Sequence, residues 1–317
     1  MRLIFMGTPS FVVPVLEALA AMPGVDIIGI VTPPDRPAGR GRQSEPPPVK
    51  LFALEHQMAV LQPASLRPEA SQDALAALAP DVIVVAAYGK LLPPAVLALP
   101  PHGCLNLHPS LLPRHRGPTP VPTAILEGDE ISGVTLMLLD QGVDTGPVVA
   151  QAEHPLIGAE TTNELTETLF TLGTKLLMDN LEPWVQGRLS ASPQDESRAT
   201  MTRKLERGDG LADWNLSAED LERRSQAFTP WPGLFSHWDG KVLKLTEVSW
   251  LRSKPSPDAV PGQVVTTSDE ETPLAVVTAN GLLGLKRVQL EGRRPVTARE
   301  FLTGFPAFTG TILAMLT

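Results

Sequence analysis

The stretch RLIFMGTPSFVVPVLEALAAM, residues 2–22, decides the fold. Arg2 to Met6 is a short apolar run without polar alternation, the pattern of a strand covered on both faces. A glycine turn follows, and Phe11 to Met22 has the apolar spacing of a helix. The same rhythm returns downstream. Asp26 to Thr32 and Asp81 to Ala87 are rich in Val and Ile, and helical patterns occupy Val49 to Gln57 and Ala70 to Leu78. Alternation of this kind predicts an α/β fold with a doubly wound, mostly parallel, Rossmann-like sheet. Cys104 to Leu107 and Val134 to Leu139 continue the sheet, and a long helix runs from Glu160 to about Trp184. Thr161-Thr162-Asn163-Glu164 reads as its capping box.

The first turn, Gly7-Thr8-Pro9-Ser10-Phe11, argues against a dinucleotide site. It lacks G-x-G-x-x-G, and Pro9 removes a backbone donor that a pyrophosphate would need. Gly39-Arg40-Gly41-Arg42 has glycines without the G-K-[ST] ending of a phosphate loop. After Gly187 the character changes. Ser190 to Ser197 is polar and lacks apolar periodicity, as a linker does. The short β runs Lys241 to Val248, Gly262 to Thr266, Leu274 to Thr278 and Leu282 to Leu290 predict a small barrel or sandwich, preceded by a helix from Ser217 to Ala227. The domains expected are therefore 1–189, a linker 190–207, and 208–317.

At 317 residues and 43% hydrophobic, the chain has core enough for two folded units. No run of about 18 uncharged apolar residues is present, and the N-terminal run is too short for a signal-peptide core, so a cytoplasmic location without membrane contact is expected. The single cysteine, Cys104, rules out an internal disulfide and suits a reducing compartment. A net charge of −9 argues against a general polyanion binder. Lys and Arg number 15 against 22 acidic residues over 1–207 and 11 against 13 over 208–317, so the second part is nearer neutral. Its cations gather at Lys286-Arg287 and Arg293-Arg294.

The chemistry is concentrated in GCLNLHPSLLPRHRG, residues 103–117. Residues i and i+2 of a strand lie about 6.6 Å apart on one face, so Asn106 and His108 can converge on one ligand atom. The chain then leaves the sheet at a strand's carboxyl end, where open parallel sheets place their crevices. Asp140-Gln141-Gly142-Val143-Asp144-Thr145-Gly146, after the next strand, can bring Asp144 beside His108. An amide, an imidazole and a carboxylate with no adjacent nucleophile suit direct acyl transfer to the substrate's own amine. Ser110 lacks the G-x-S-x-G elbow of a hydrolase. His102 and His108 would stand about 20 Å apart on a straight strand, which argues against a shared metal.

Asn106 to Gly117 with Asp140 to Gly146 resembles the signature of the folate-dependent formyltransferases. Pro34 to Arg42 with Pro46 to Lys50, and Phe228-Thr229-Pro230-Trp231-Pro232-Gly233, narrow the resemblance to the branch acting on methionyl-tRNA. It covers nearly the whole chain. The resemblance implies formyl transfer from 10-formyltetrahydrofolate, the co-substrate, to the α-amino group of methionyl initiator tRNA, with an OB-like barrel for tRNA in the second domain. Asn106, His108 and Asp144 match the catalytic triad. Ser110, Leu111, Leu112 and Pro113 match the folate-contacting turn, and Tyr88 lines the same pocket. Arg36, Arg40 and Arg42 form the basic loop that approaches the tRNA, helped by Lys204 and by Lys286, Arg287, Arg293 and Arg294. No metal and no obligate protein partner are implied, and a monomer is expected. The chain departs from the family at His115, where an aromatic is common, and at Gly117-Pro118-Thr119-Pro120, where Gly-Ala-Ala-Pro is common. These changes leave the triad intact and bear on the substrate entrance. Two alternatives remain: a formyltransferase acting on another amine such as a nucleotide sugar, and a tRNA-binding module without chemistry.

Overall fold

The N-terminal apolar run is strand β1 (Arg2–Gly7), buried throughout from Leu3 to Met6. The computed structural model describes residues 1–38 and 43–314, so Arg40 and Arg42 of the basic loop lie outside the described residues. Helix α1 (Val13–Ala21) leads to β2 (Asp26–Val31), and a short hairpin, β3 (Arg36–Ala38) and β4 (Gln43–Glu45), precedes α2 (Pro48–Glu55). Strand β5 (Val60–Leu61), α3 (Glu69–Ala76), β6 (Val82–Ala86), α4 (Pro94–Leu97) and β7 (Cys104–His108) continue the alternation. After α5 (Pro120–Glu127) come β8 (Ile131–Leu138), β9 (Val148–Pro155) and α6 (Thr162–Val185). The predicted capping box is present at the start of α6, where the Glu164 carboxylate accepts from the Thr161 N–H at 2.9 Å.

The seven strands run in the order β5-β2-β1-β6-β7-β8-β9, the first five of them parallel. One part of the sheet differs from the sequence reading. Val134 to Leu139 belongs to β8, which is antiparallel to β7, and β9 adds a further antiparallel edge strand. The β8–β9 connection, residues 139–147, is too short for a crossover and closes a hairpin instead. β9 escaped notice because it alternates half-buried and exposed side chains, as an edge strand does, and carries no continuous apolar run.

Chain contacts divide the molecule into two units, Met1–Pro120 with Ile131–Pro155 and Thr166–Arg203, and Val121–Glu130 with Leu156–Leu165 and Lys204–Thr317. The core of the first packs α1, α2 and α6 on one face of the sheet, with Phe5, Leu16, Leu105, Leu136 and Phe170 fully or nearly buried. The second is antiparallel: β10 (Phe235–Trp238), β11 (Lys241–Leu251), β14 (Leu282–Leu290), β13 (Leu274–Val277) and β12 (Val264–Thr266) are neighbours in that order, and β15 (Val296–Thr297) also pairs with β14. Helix α7 (Ala218–Ala227) starts on Ser217, whose Oγ accepts from the Asp220 N–H as a cap. Helix α8 (Ala298–Gly304) contributes Phe301 to a cluster with Trp238, Phe305 and Phe308. Among the described residues no helix is long and apolar enough to cross a membrane.

Candidate active site

Strand β7 presents Asn106 and His108 at its carboxyl end, 9% and 5% exposed. The Asn106 carboxamide makes no hydrogen bond to any described residue. A nearly buried amide is normally paired, so one left open marks a place where a ligand completes the bonding. His108 is held differently. Its Nε2 lies 2.9 Å from the His115 carbonyl oxygen. A carbonyl only accepts, so Nε2 carries the hydrogen and the neutral ring keeps its lone pair on Nδ1. The backbone of His115, at φ 60, does this work.

The turn after β7 is fixed by hydrogen bonds. Ser110 Oγ donates to the Arg114 carbonyl at 2.7 Å, which occupies the hydroxyl as a turn former rather than a nucleophile. Thr135 on β8 donates to the Ser110 carbonyl at 2.6 Å and accepts from the Leu112 N–H at 3.1 Å. Gln151 on β9 donates to the Leu112 carbonyl at 2.9 Å. Leu112 is buried while Leu111 and Pro113 stay half-buried, giving an apolar wall beside Asn106 and His108.

Asp144 reaches the imidazole as the loop between β8 and β9 predicts. Its Oδ1 is 3.7 Å from His108 Nδ1, within ion-pair range and beyond a hydrogen bond. Its Oδ2 accepts from the Gly117 N–H at 2.8 Å. Gly117 has φ +102, and a Cβ there would sit 2.8 Å from the Thr202 carbonyl oxygen, so this donor position requires glycine. Asp144 itself adopts φ 54, a left-handed conformation that aspartate tolerates better than most residues but that still needs external support.

Burial lowers the His108 pKa below its ordinary value, with the Asp144 carboxylate pulling the other way. The net direction leaves the ring neutral at neutral pH. A proton arriving at Nδ1 would then stand between the imidazole and the carboxylate. An NMR titration of the His108 ring is expected to give a midpoint below about 6.5, the free histidine value. Because the unfolded chain takes up this proton first, stability should fall as pH drops through about 6.5 and level off below the folded pKa. A midpoint above 6.5 would contradict the assignment. The Cys104 thiol on the same strand is buried, with its pKa pushed up to about 12 by desolvation, and offers no thiolate.

Tyr88 packs in a core cluster with Met6, Val31, Leu66 and Leu92, and burial raises its phenol to about 12. Its buried hydroxyl has no hydrogen-bond partner among the described residues. The basic candidates are dispersed. Arg36 is exposed on β3, and Lys204 is exposed at the start of the last and longest segment of the second unit. Lys286 and Arg287 are successive strand residues on β14 and face opposite sides. Lys286 pairs with Glu271 at 3.6 Å and Arg287 with Glu247 at 3.3 Å, so the doublet is split and partly neutralised. Arg293 and Arg294 line a groove of about 600 Å³ with Val296, Phe301, Thr303 and Phe305, and Arg293 lies over the Phe305 ring at 5.0 Å.

Sequence reasoning missed Thr135, Gln151 and Arg116, and above all the segment beyond residue 190. Thr200 accepts from the His115 N–H through its hydroxyl and from the Arg116 N–H through its carbonyl, and Thr202 donates its N–H to the Arg116 carbonyl. Thr119, one of the family departures, donates its N–H to Thr202 Oγ1 at 3.1 Å and its hydroxyl to the Arg203 carbonyl at 2.6 Å. These partners all lie within the expected linker, 190–207.

A family model described as formyl transferase matches residues 1–181, and the model of the formyl transferase C-terminal domain matches 204–306. The chain is 46% identical over 307 residues to a methionyl-tRNA formyltransferase of Chloroflexus aurantiacus, covering 97% of this chain and 98% of that one. It is 40% identical over 304 residues to the methionyl-tRNA formyltransferase of Marinobacter nauticus, covering 96% of each. Among solved structures, an N-formyltransferase of Helicobacter canadensis, in complex with folinic acid and dTDP-3-aminofucose, is similar with a TM-score of 0.66 at 16% identity over 90% of this chain and 99% of that one. HypX of Aquifex aeolicus in complex with tetrahydrofolic acid is similar with a TM-score of 0.62 at 19% identity, covering 96% of this chain and 47% of that one. At these identities the two structures speak for the fold alone.

Proposed function

The chain belongs to the formyl transferase family through both matched segments, and from that premise we propose that it transfers the formyl group of 10-formyltetrahydrofolate to the α-amino group of methionyl initiator tRNA. The observation that carries this is the open Asn106 amide beside His108 and Asp144, in a chain sharing 46% of its residues with a methionyl-tRNA formyltransferase over nearly its full length. The nucleotide-sugar alternative has only a fold likeness at 16% identity behind it. Formylation of initiator tRNA places the work in the cytoplasm.

The residues fit a flat, formyl-bearing donor. The wall at Leu111, Leu112 and Pro113 can take the ring, with Tyr88 contributing from the neighbouring strand end, and a few polar groups set its orientation. Asn106 donates to the formyl oxygen as negative charge gathers there, the preorganised electrostatic contribution that such sites rely on. His108 joins it only when Nδ1 is protonated, because Nε2 is committed to His115. The attacking amine loses a proton that Nδ1 is placed to receive, Asp144 stabilises the imidazolium so formed, and the proton passes on to the folate nitrogen as its bond to the formyl carbon breaks. Arg36, Lys204, Arg293 and Arg294 are exposed and can contribute phosphate contacts, and Lys286 and Arg287 would exchange their carboxylates for them. Arg40 and Arg42 complete the basic loop in this reading.

The test is to incubate the protein with 10-formyltetrahydrofolate and methionine-charged initiator tRNA, strip the ester and quantify formyl-methionine. Parallel reactions offer free methionine and a nucleotide-linked amino sugar. Formyl-methionine only from charged tRNA is expected; formylation of the sugar in its place would overturn the proposal.

A further inference from the structure

We propose that Gln194 is a positioning residue for this reaction: its carboxamide clamps the backbone of the Asp144 loop so that the aspartate faces His108. The role in catalysis rests on the function proposed above, while the clamp itself is a matter of geometry. Gln194 Nε2 donates to the Asp144 carbonyl at 2.8 Å and to the Gly146 carbonyl at 2.7 Å. Both hydrogens of the amide are thereby used, on the carbonyls of the residues before and after Thr145.

The orientation of the amide is dictated by its other neighbour. Arg116 approaches Oε1 through Nε at 2.9 Å and through Nη2 at 2.8 Å. A guanidinium only donates, so the oxygen must face Arg116 and the NH2 must face the loop. Arg116 is in turn held by Glu196, with bonds of 2.9 and 2.7 Å that form a bidentate pair. The Arg116 side chain is buried, 4% exposed, while that of Glu196 is 70% exposed, so the fixed strut is Arg116 with Gln194.

The strut has a reason to exist. Asp144 adopts φ 54, and such a backbone persists only where surrounding groups over-determine it. Gly117 secures the carboxylate and Gln194 secures the main chain. Both holds descend from the stretch around Arg116, which ties the two site loops together. Asp140 braces the start of the loop separately, accepting from Gly142 N–H at 3.0 Å and Thr145 Oγ1 at 2.7 Å.

The experiment compares wild type, Gln194→Ala, Gln194→Glu and, as control, Glu196→Gln, which keeps the Gln194 amide. Gln194→Glu retains size and the bond to Arg116 but turns an acceptor toward two carbonyls. Three quantities are read: the NMR titration midpoint of the His108 ring, kcat against KM for formyl-methionyl-tRNA formation, and thermal stability. The groups facing that ring are the Asp144 carboxylate, the His115 carbonyl and the His115 ring. In both Gln194 variants the His108 midpoint should fall, because the carboxylate that raises it has moved away. The kcat should drop by about tenfold or more with KM within about threefold, the sensitivity expected of a misplaced catalytic group. Glu196→Gln should stay within about threefold of wild type in kcat, since its amide oxygen still accepts from Arg116 and the carboxylate it replaces is itself largely exposed.

An unchanged midpoint in both Gln194 variants overturns the proposal, whatever happens to stability or activity. If Gln194→Ala fails to fold, Gln194→Glu decides on the same criterion. A wild-type protein that makes no formyl-methionine, together with a lowered midpoint in the variants, would overturn the proposed function and leave the clamp on Asp144 standing. A wild type that formylates, with variants equal to it in midpoint and kcat, would do the reverse.

Discussion

Asn106→Ala is expected to lower kcat for formyl-methionyl-tRNA formation by about 10²- to 10³-fold, the cost of removing one side-chain donor from a developing oxyanion. KM for either substrate should change far less, because the amide's advantage is realised as charge builds on the formyl oxygen and not in the ground state. The same variant should melt at the wild-type temperature. The Asn106 side chain bonds to no described residue, so its removal strands no partner and relieves a poorly satisfied buried amide. His108→Ala offers the contrast. It should abolish activity to a similar degree and also destabilise the fold by about 1–3 kcal/mol, because the buried His115 carbonyl loses its close donor and keeps only Ser110 Oγ at 3.5 Å. Steady-state kinetics with thermal melts distinguish the two, and an Asn106→Ala enzyme within threefold of wild-type kcat would remove that residue from the mechanism.

Gly146→Ala is expected to lose about 2–3 kcal/mol of stability and about a hundredfold in kcat, from a single methyl group. Its Cβ would fall on the Leu138 carbonyl oxygen and crowd the Asp140 nitrogen at 3.3 Å. None of these is a flexible side-chain end that could yield. Leu138 is also fixed through its N–H to the Pro147 carbonyl at 2.9 Å, so the strain must pass into the loop that carries Asp144. Gly208→Ala is the matched control, since a Cβ there meets nothing within 4 Å. Urea unfolding should show a lowered midpoint at unchanged slope for Gly146→Ala and none for the control. Equal stability in the two variants would show that the loop bends freely and that the close approach does not matter.

Much of the molecule was legible in the chain. Unbroken apolar runs at Leu3 to Met6 and Val82 to Ala86 announced strands buried on both faces, and local chemistry at Ser217 and at Thr161 to Glu164 marked helix starts. Asn106 and His108 could be paired in advance because the period of a strand is a local property that needs no partner to operate. Strand direction beyond β7 was another matter. Whether Val134 to Leu139 runs with or against its neighbour depends on where the intervening chain packs, and the edge strand β9 is stabilised by one partner rather than by its own composition.

The sequence alone determined which functional groups arrive at the end of β7 and that glycines must surround the aspartate on the following loop. Only the tertiary structure decided how they are held. Gln194 stands 50 positions from Asp144, and Thr200 stands 85 from His115, in a stretch whose polarity reads equally well as solvated chain. The tautomer of His108 likewise follows from a backbone carbonyl seven residues away that no side-chain motif encodes. Periodicity and turn chemistry act between near neighbours and are written in residue order. Hydrogen bonds from uncharged polar side chains to distant peptide groups acquire direction only when packing has removed water from between them.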